Sequence, residues 1–567
     1  MQATTILQNC GLLNETQADA IHQSGAQGAA QIETAVQLGY LEERPALEAI
    51  ASELGVDYVD LQTAEIDLSL LDEFPTRLIY REQLFPVARV NGHVQVATSN
   101  PFDLYPIDEA ATAIGQVVVP VVSTGYEIDS LIKQHLGVGS ETIDNLIQQR
   151  QDDDVELLEE IENDGSELSE MAQEASVIRL VNEILLEAIK TKASDVHIES
   201  QAAGVTVRYR IDGMLHPQPV PPEINHFQAA IISRLKIMAH LNIAEKRLPQ
   251  DGRIKLKVQG REIDIRVSVI PMIHGEGIVM RILDKGAILF ELQSLGMEKD
   301  IYAQFKELIT LPHGIVLVCG PTGSGKTTTL YSSLMEIKNP SNKIVTTEDP
   351  VEYQLEGINQ IQVHSRIGLT FSNTLRSILR HDPDIVLVGE IRDLETAENA
   401  IQASLTGHMV FSTLHTNDSA GAYTRMTDMG VEPFLVASTV EAVMSQRLVR
   451  RLCTACRSPV KLTSLNLPPD FPMEHVGDNT VFEAVGCREC RNVGYSGRMG
   501  IYELMLTTDT IRELATERAS SWELKKAAVA GGMGTLRDDG WRKVISGSTS
   551  IDEVLRITKG DQVVAVS

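Results

Sequence analysis

The residues from Gly320 to Thr327 carry the clearest chemistry in this sequence. They match the phosphate-binding pattern GxxxxGK[ST] at every fixed position. Glycines in such a loop let backbone N–H groups turn toward phosphate oxygens, and the following helix N-terminus adds positive potential. We expect Lys326 to contact the β- and γ-phosphates of a nucleoside triphosphate and Thr327 to bind Mg²⁺. The other residues expected at the nucleotide are Gly320, Pro321, Thr322, Gly323, Ser324, Gly325 and Thr328.

Three apolar runs after this loop end in side chains suited to phosphoryl transfer. Glu390 ends the segment 384–390, where it could polarise the attacking water or help position Mg²⁺. Glu348 follows Ile344-Val345; spacing alone equally allows a catalytic carboxylate or an acidic, helix-capping turn. His415 ends a third run and could sense the γ-phosphate, whereas His408 begins that run and is expected to be structural.

Four of the six cysteines form two CxxC pairs, Cys453 with Cys456 and Cys487 with Cys490. Each pair can bind one ion from a tight turn, and two such turns complete a tetrahedral set of four thiolates. A redox pair is the alternative, but a single CxxC would suffice for redox chemistry. We therefore predict a structural zinc site.

The elements around the loop explain how these side chains are positioned. The apolar run 315–319 predicts a buried strand before the loop, and residues 328–335 predict a helix after it, which disfavours a chance glycine-rich loop. Further strands are predicted at 344–347, 384–388 and 409–413, alternating with helices. This order predicts an α/β core with a largely parallel sheet over residues 291–452.

The remaining chain divides into five further regions. Residues 1–140 predict a small α/β domain, with a hairpin at Asn91-Gly92. The sequence predicts a mixed α+β domain at residues 175–290. It predicts the cysteine module at residues 453–490 and a mostly helical C-terminal region at residues 491–567. Residues 141–174 hold thirteen Asp or Glu and one Arg, which favours an extended linker, although an acidic docking surface stays open.

The overall charge excludes some partners. A net charge of −29 opposes nonspecific nucleic-acid binding and adsorption to an anionic membrane. No apolar run approaches the ~18 residues of a membrane span. Because no Lys or Arg precedes Arg44, the basic start of a signal peptide is missing, and we expect a cytoplasmic protein.

The motifs in their order resemble the type II secretion and type IV pilus assembly ATPases. They read GPTGSGKTTTLY, TTEDPVEY, LRSILRHDPDIVLVGEIRD and TGHMVFSTLHTND, with ASDVHIE and RLPQDGR before them and QRLVRRLCTAC and GYSGRMGIYEL after them. The resemblance implies a RecA-like P-loop core, a preceding mixed α+β (PAS-like) domain, a small N-terminal α/β domain and a zinc module. It also implies a homohexameric motor that hydrolyses ATP at the cytoplasmic face of the inner membrane to drive pilin or pseudopilin assembly.

The same resemblance assigns roles to four arginines. Arg266 and Arg281 match family residues that reach the phosphates from the domain before the core, and Arg376 and Arg380 match a second basic pair near the γ-phosphate. Guanidinium groups would stabilise the charge of the transferred phosphoryl group. Ordinary ion pairing is the alternative for all four.

Partners and rival functions follow from the same comparison. The N-terminal domain lacks the RLG of the repeats that bind cyclic di-GMP in relatives, so we expect no such binding and instead docking to a protein at the membrane, besides an inner-membrane platform protein. A nucleic-acid translocase and an ATP-binding zinc scaffold without turnover are the alternatives. The acidic charge opposes the first, and intact Lys326, Thr327, Glu348 and Glu390 oppose the second.

Overall fold

The structure is a computed structural model. It describes residues 3–23, 28–90, 92–135, 155–157, 175–220, 222–258, 260–284, 291–465, 467–476, 480–487 and 489–558. The chain divides into two compact units, residues 1–286 and residues 287–567, and each is described by itself. The predicted acidic linker falls outside the described residues, apart from a short strand at Val155–Leu157.

Among its described residues, the first unit contains nine α-helices and ten strands. The helices are α1 Ala3–Asn9, α2 Glu15–Gln23, α3 Ala30–Gln37, α4 Glu43–Leu54, α5 Thr76–Arg81, α6 Tyr105–Ile114, α7 Gly125–His135, α8 Ala175–Lys190 and α9 Gln228–Met238. The strands are β1 Phe85–Val90, β2 His93–Thr98, β3 Val118–Val122, β4 Val155–Leu157, β5 Asp195–Gln201, β6 Gly204–Ile211, β7 Met214–Gln218, β8 Gln250–Val258, β9 Arg261–Met272 and β10 Gly275–Asp284.

The second unit continues both series. Its helices are α10 Lys299–Ile309, α11 Lys326–Ile337, α12 Phe371–Ile378, α13 Leu394–Leu405, α14 Ala420–Asp428, α15 Pro433–Thr439, α16 Asp509–Thr516, α17 Ser521–Ala530, α18 Leu536–Ile545 and α19 Ile551–Ile557. Its strands are β11 Gly314–Cys319, β12 Ile344–Glu348, β13 Asn359–Gln362, β14 Ile385–Val388, β15 Met409–Leu414, β16 Val440–Leu452, β17 Ser458–Lys461, β18 Thr480–Glu483 and β19 Tyr495–Leu506.

Two sheets organise the first unit. The predicted hairpin is confirmed: β1 and β2 pair antiparallel, Gly92 between them has a φ of +80°, and β3 joins parallel to β2. The second sheet has the order β4-β8-β9-β10-β5-β6-β7 with antiparallel pairing throughout. Alternate residues of its strands form one core with α8 and α9, as the apolar alternation of the sequence predicts.

The core sheet of the second unit has the order β13-β12-β14-β15-β11-β16-β19. The first six strands are parallel, and the four strands predicted for this core agree with β11, β12, β14 and β15 to within one residue at each end. Successive residues of β11 bury on opposite faces: Ile315 and Leu317 join one apolar cluster, whereas Val316 and Val318 join the other. The sheet is therefore covered on both faces, as a parallel sheet requires.

The prediction of a mostly helical C-terminal region at residues 491–567 is wrong for the first part of that region. Residues Tyr495–Leu506 form β19, which pairs antiparallel with β16 and completes the core sheet, and only then do α16 to α19 follow. The pairing partners lie about fifty residues apart, such as Gln446 with Tyr502. Such a long-range pairing leaves no local pattern that distinguishes this strand from a helix.

Candidate active site and metal centre

The phosphate-binding loop connects β11 to α11 and keeps its backbone in conformations that favour glycine. Gly320, Gly323 and Gly325 have φ angles of +148°, +78° and +90°. A Cβ at Gly320 would lie 2.6 Å from the carbonyl oxygen of Gln446. Glycine is thus needed at Gly320 for both reasons, because other residues rarely adopt this φ and have no room here.

The loop offers cationic and polar groups that fit a phosphate chain. Lys326 Nζ donates to the carbonyl oxygens of Gly320 at 2.8 Å and Pro321 at 3.2 Å, and among the described residues it forms no ion pair. Burial lowers the pKa of Lys326. Ser324 Oγ is buried and has no hydrogen-bond partner in the described part of the chain. A half-buried amine and a buried hydroxyl beside glycine N–H groups form a donor set suited to a nucleotide and its magnesium ion.

Glu390 and His415 meet where two neighbouring strands of the sheet end, as their positions after strands predicted. His415 Nε2 lies 3.1 Å from Glu390 Oε2, and Arg392 Nη2 lies 2.5 Å from Glu390 Oε1. The Glu390 side chain is only 12% exposed, so it is largely shielded from water. The pairing with Glu390 raises the pKa of Arg392.

Glu348 lies in a buried hydrogen-bond network at the end of β12. Its carboxylate accepts hydrogen bonds from Tyr331 Oη, from Thr346 Oγ1 at 2.5 Å and from Gln360 Nε2 at 3.1 Å. Burial, followed by the nearby Glu348 charge, raises the pKa of Tyr331. All three contacts hold the carboxylate inside the domain, and they favour a supporting role; the catalytic role of Glu348 stays a prediction.

The predicted pair Arg376 and Arg380 lies on exposed surface of α12 and just beyond it. Arg376 pairs with Glu395, and Arg380 donates to the Arg376 carbonyl oxygen at 2.9 Å and to Ser377 Oγ at 3.3 Å. These are the ordinary surface contacts that the sequence left open as an alternative. Their role at the γ-phosphate stays a prediction.

The other predicted arginines lie in the first unit, on adjacent strands of its larger sheet. Arg266 on β9 and Arg281 on β10 are cross-strand neighbours, so their side chains share one face. Arg281 Nε contacts Asp195 Oδ1 at 3.1 Å, and about half of the Arg281 side chain is exposed. The sheet therefore brings the two arginines together, while their contact with phosphate stays a prediction.

The four clustered cysteines converge on one point. Their Sγ atoms all lie within 4.8 Å of one another, and the pairs Cys453–Cys487 and Cys456–Cys490 are 3.8 and 3.7 Å apart. Ligands 2.3 Å from a tetrahedral zinc ion are separated by about 3.8 Å. These distances fit four thiolates around one zinc ion and far exceed the ~2.05 Å of a disulfide.

Backbone N–H groups point at the sulfurs of this cluster. Gly494 and Cys487 donate to Cys490 Sγ at 3.1 Å, and Gly486 donates to Cys456 Sγ at 3.3 Å. Burial raises the pKa of Cys490, but hydrogen bonds from the Cys487 and Gly494 N–H groups and from the Cys456 and Cys487 thiols together more than offset it and bring the pKa to about 7. Such donors stabilise a thiolate and turn the sulfurs toward the common point, which is the arrangement of a structural metal site.

Three residues at the site, Arg392, Gln446 and Arg447, were not singled out from the sequence. Arg392 stands directly beside Glu390, but a charged residue after a strand is too common to single out. Gln446 and Arg447 on β16 lie beneath the loop: Gln446 Nε2 donates to the Ser324 carbonyl oxygen at 2.7 Å, and Arg447 Nη2 donates to the Asn417 carbonyl oxygen at 2.9 Å. The only sequence signal for Gln446 and Arg447 is the mixture of apolar and polar residues in QRLVRRL. This mixture does not reveal that the segment lies beneath the phosphate-binding loop.

Among the described helices, none combines the length and the apolar character that crossing a membrane requires. The charged and polar residues described above all belong to the two folded units.

The family described as type II/IV secretion system protein matches residues 170–556, and the MshEN domain matches residues 54–142. The chain is 42% identical to the type IV pilus assembly ATPase PilB of Myxococcus xanthus, over 93% of each chain. It is 44% identical to the type II secretion system protein E of Xanthomonas campestris, over 92% of each chain. The structure of the Legionella pneumophila ATPase DotB, 20% identical, matches with a TM-score of 0.50 over 67% of this chain and 95% of DotB, and it supports the fold alone.

Proposed function

This chain belongs to the type II/IV secretion system protein family and is an ATPase, and from that premise we propose that it is the hexameric motor of a pilus or secretion machine. The observation that carries the proposal is the joint placement of the phosphate-binding loop and the Glu390–His415 pair on one parallel sheet. Hydrolysis of ATP needs both a phosphate cradle and a positioned carboxylate, and we assign these tasks to the loop and to Glu390.

The residues divide the catalytic work in the following way. The loop N–H groups and Lys326 hold the phosphate chain, and Thr327 would hold Mg²⁺, which neutralises developing charge when bound. Glu390 orients the attacking water, while His415 and Arg392 hold its carboxylate in place. Arg266, Arg281, Arg376 and Arg380 are proposed to contact phosphate oxygens in the assembled motor.

Zinc has a structural task in this proposal. Cys453, Cys456, Cys487 and Cys490 would bind one Zn²⁺, and Cys453 directly follows β16 of the core sheet. A closed set of four thiolates leaves no open position for substrate, so we assign it no catalytic step.

The partners follow from the family and from charge. We propose that the protein works in the cytoplasm, at the inner membrane, through a platform protein and a docking protein. The net charge of −29 opposes direct binding to anionic lipid or to nucleic acid. The pilus and secretion relatives are almost equally similar, at 42% and 44% identity, so similarity favours neither cargo.

Steady-state ATP hydrolysis by the purified protein tests the proposal. We expect Mg²⁺-dependent turnover that Lys326→Ala abolishes and that added DNA leaves unchanged. Stimulation by DNA would favour the translocase, and tight ATP binding without turnover would favour the scaffold. Co-purification of the membrane platform partner would then identify the cargo system.

A further inference from the structure

The amide of Gln446 lies between the phosphate-binding loop and the helix that follows it. Its Nε2 donates to the Ser324 carbonyl oxygen at 2.7 Å, and its Oε1 accepts from Thr329 Oγ1 at 2.8 Å. Because a carbonyl oxygen can only accept, the amide nitrogen must face Ser324, which fixes the orientation of the Gln446 side chain. With 1% of its surface exposed, Gln446 has no water to replace these partners.

The position of Gln446 follows from the sheet. Strand β16 runs parallel to β11, and the last paired residues are Ser445 and Cys319. At that point β11 ends and the loop turns away, whereas β16 continues and passes beneath the loop. Gln446 is thus the first residue of β16 beyond β11, and its side chain fills the space under the loop.

Holding the Ser324 carbonyl also sets the direction of the next N–H group. The peptide bond between Ser324 and Gly325 is trans, and in a planar trans peptide the C=O and N–H bonds point in opposite directions. An anchor on the Ser324 oxygen therefore aims the Gly325 N–H away from Gln446. Gly325 has a φ of +90° and offers little conformational resistance to rotation of this peptide.

We propose that Gln446 is a positioning residue that fixes the Ser324–Gly325 peptide, so that the Gly325 N–H faces bound phosphate. This proposal rests on the function proposed above, and it makes Gln446 a residue that determines the affinity for the nucleotide. Loop N–H groups contact the phosphates that ATP and ADP share. Loss of the anchor should therefore weaken both nucleotides and raise KM more than it lowers kcat.

Gln446→Glu is the sharpest test, because it keeps the shape and the acceptor for Thr329 but removes the donor to Ser324. We expect the Kd values of ATP and ADP to rise about tenfold or more, which corresponds to about 1.4 kcal/mol. Gln446→Met removes the donor without placing a carboxylate there, and it should weaken both nucleotides in the same direction if Gln446→Glu does not fold.

Asn399→Asp is the matched control. Asn399 is 7% exposed and donates to Ser372 Oγ and to the Glu395 carbonyl oxygen, both at 2.9 Å, so the same amide-to-carboxylate change occurs away from the loop. Thr329→Val removes the helix contact of Gln446, together with the hydrogen bond between Thr329 and Tyr502, and leaves the contact of Gln446 with Ser324 in place. Both variants should keep near-wild-type nucleotide affinity, and an equal loss in Thr329→Val would overturn the assigned peptide anchor in favour of general loosening of α11.

Hydrogen exchange of the nucleotide-free protein measures how firmly the loop is held, without any bound ligand. Amides of the loop should exchange faster in Gln446→Glu than in wild type and in Asn399→Asp. Wild-type affinity and wild-type exchange in both Gln446 variants would refute the anchor while leaving the motor function intact. Wild-type protein that binds ATP without turnover would instead refute the motor function, and the affinity series would still decide the anchor.

Discussion

Glu390 is the residue on which the proposed chemistry most depends. Its carboxylate contacts both His415 and Arg392 and is largely buried, so a neutral amide of equal shape should keep the nucleotide site but lose the group that orients water. We expect Glu390→Gln to lower kcat by about 100-fold or more while the Kd for ATP changes little. Single-turnover hydrolysis and nucleotide titration would measure the two effects separately.

Glu336→Gln provides the control for that experiment. Glu336 is an acidic residue on α11 that pairs with Lys306 on the surface, at 2.7 Å. Its amide variant should retain full turnover. Wild-type turnover by Glu390→Gln would remove Glu390 from the catalytic residues.

The sequence predicted the candidate site residues that directly follow a strand. It did not predict the residues that reach the site from a strand far away in the sequence. The phosphate-binding pattern fixes Lys326, and the rule that parallel strands end at one edge places Glu390 and His415 together. Gln446 reaches the loop only because β16 lies beside β11, a pairing of residues more than a hundred positions apart. The burial of Glu348 against Tyr331 depends in the same way on how α11 packs on the sheet.

At the scale of elements, helix α19 is attached to β16 through one buried carboxylate. Glu553 is fully buried and contacts Arg450 Nη2 at 2.8 Å and Arg556 Nη2 at 2.6 Å. Burial raises the pKa of Glu553, but hydrogen bonds from Arg556 and Arg450 more than offset it and lower the pKa to about 2. The charged form is therefore favoured in the folded protein.

Acid should weaken this attachment. A folded pKa below the ordinary value of 4.5 contributes stability that is complete above about pH 4.5 and is lost as the pH falls toward 2. At pH 7 we expect Glu553→Gln to lower the local free energy of unfolding by at most about 3 kcal/mol. Hydrogen exchange of Ile551–Ile557 would show this, and the difference from wild type should shrink below about pH 4.

The cysteine module is the second element for which we predict an effect on stability, through bound zinc. We expect one Zn²⁺ per chain and, in Cys453→Ser, a loss of that metal together with lower stability of the C-terminal part, because three thiolates bind zinc less tightly than four. Elemental analysis and thermal unfolding measure these effects. Cys10→Ser, at an exposed cysteine outside the cluster, should change neither; chelator-free protein without metal would contradict the assignment.

Sequence periodicity located most elements but not the edge of the core sheet. Strands such as β11 and β15 are continuous apolar runs between helices and could be predicted directly. Strand β19 begins with exposed residues, Arg498 among them, and only its second half is a buried, mostly apolar run. Its membership of the sheet depends on pairing with β16, which no local pattern encodes.

At the scale of the whole molecule, the arginines of the first unit and the loop of the second unit belong to separate compact units. An arginine carried by a unit that moves relative to the core can report nucleotide state, because ATP supplies a γ-phosphate to pair with and ADP does not. This differential contact would favour closure with ATP and opening after hydrolysis. Around a ring, the same step would become a sequence of rotations that could act on a partner.

We therefore expect a ring of six subunits in which Arg266 and Arg281 face bound phosphate. Arg266→Ala and Arg281→Ala should each lower hydrolysis by roughly 100-fold or more while the fold stays intact, since guanidinium groups stabilise the transferred phosphoryl charge. Arg261→Ala, which removes an arginine of the same sheet paired with Asp284, is the control and should retain turnover. The decisive observation is a nucleotide-bound hexamer structure: if both guanidinium groups face away from every nucleotide in all subunits, the arginines do not couple nucleotide state to motion.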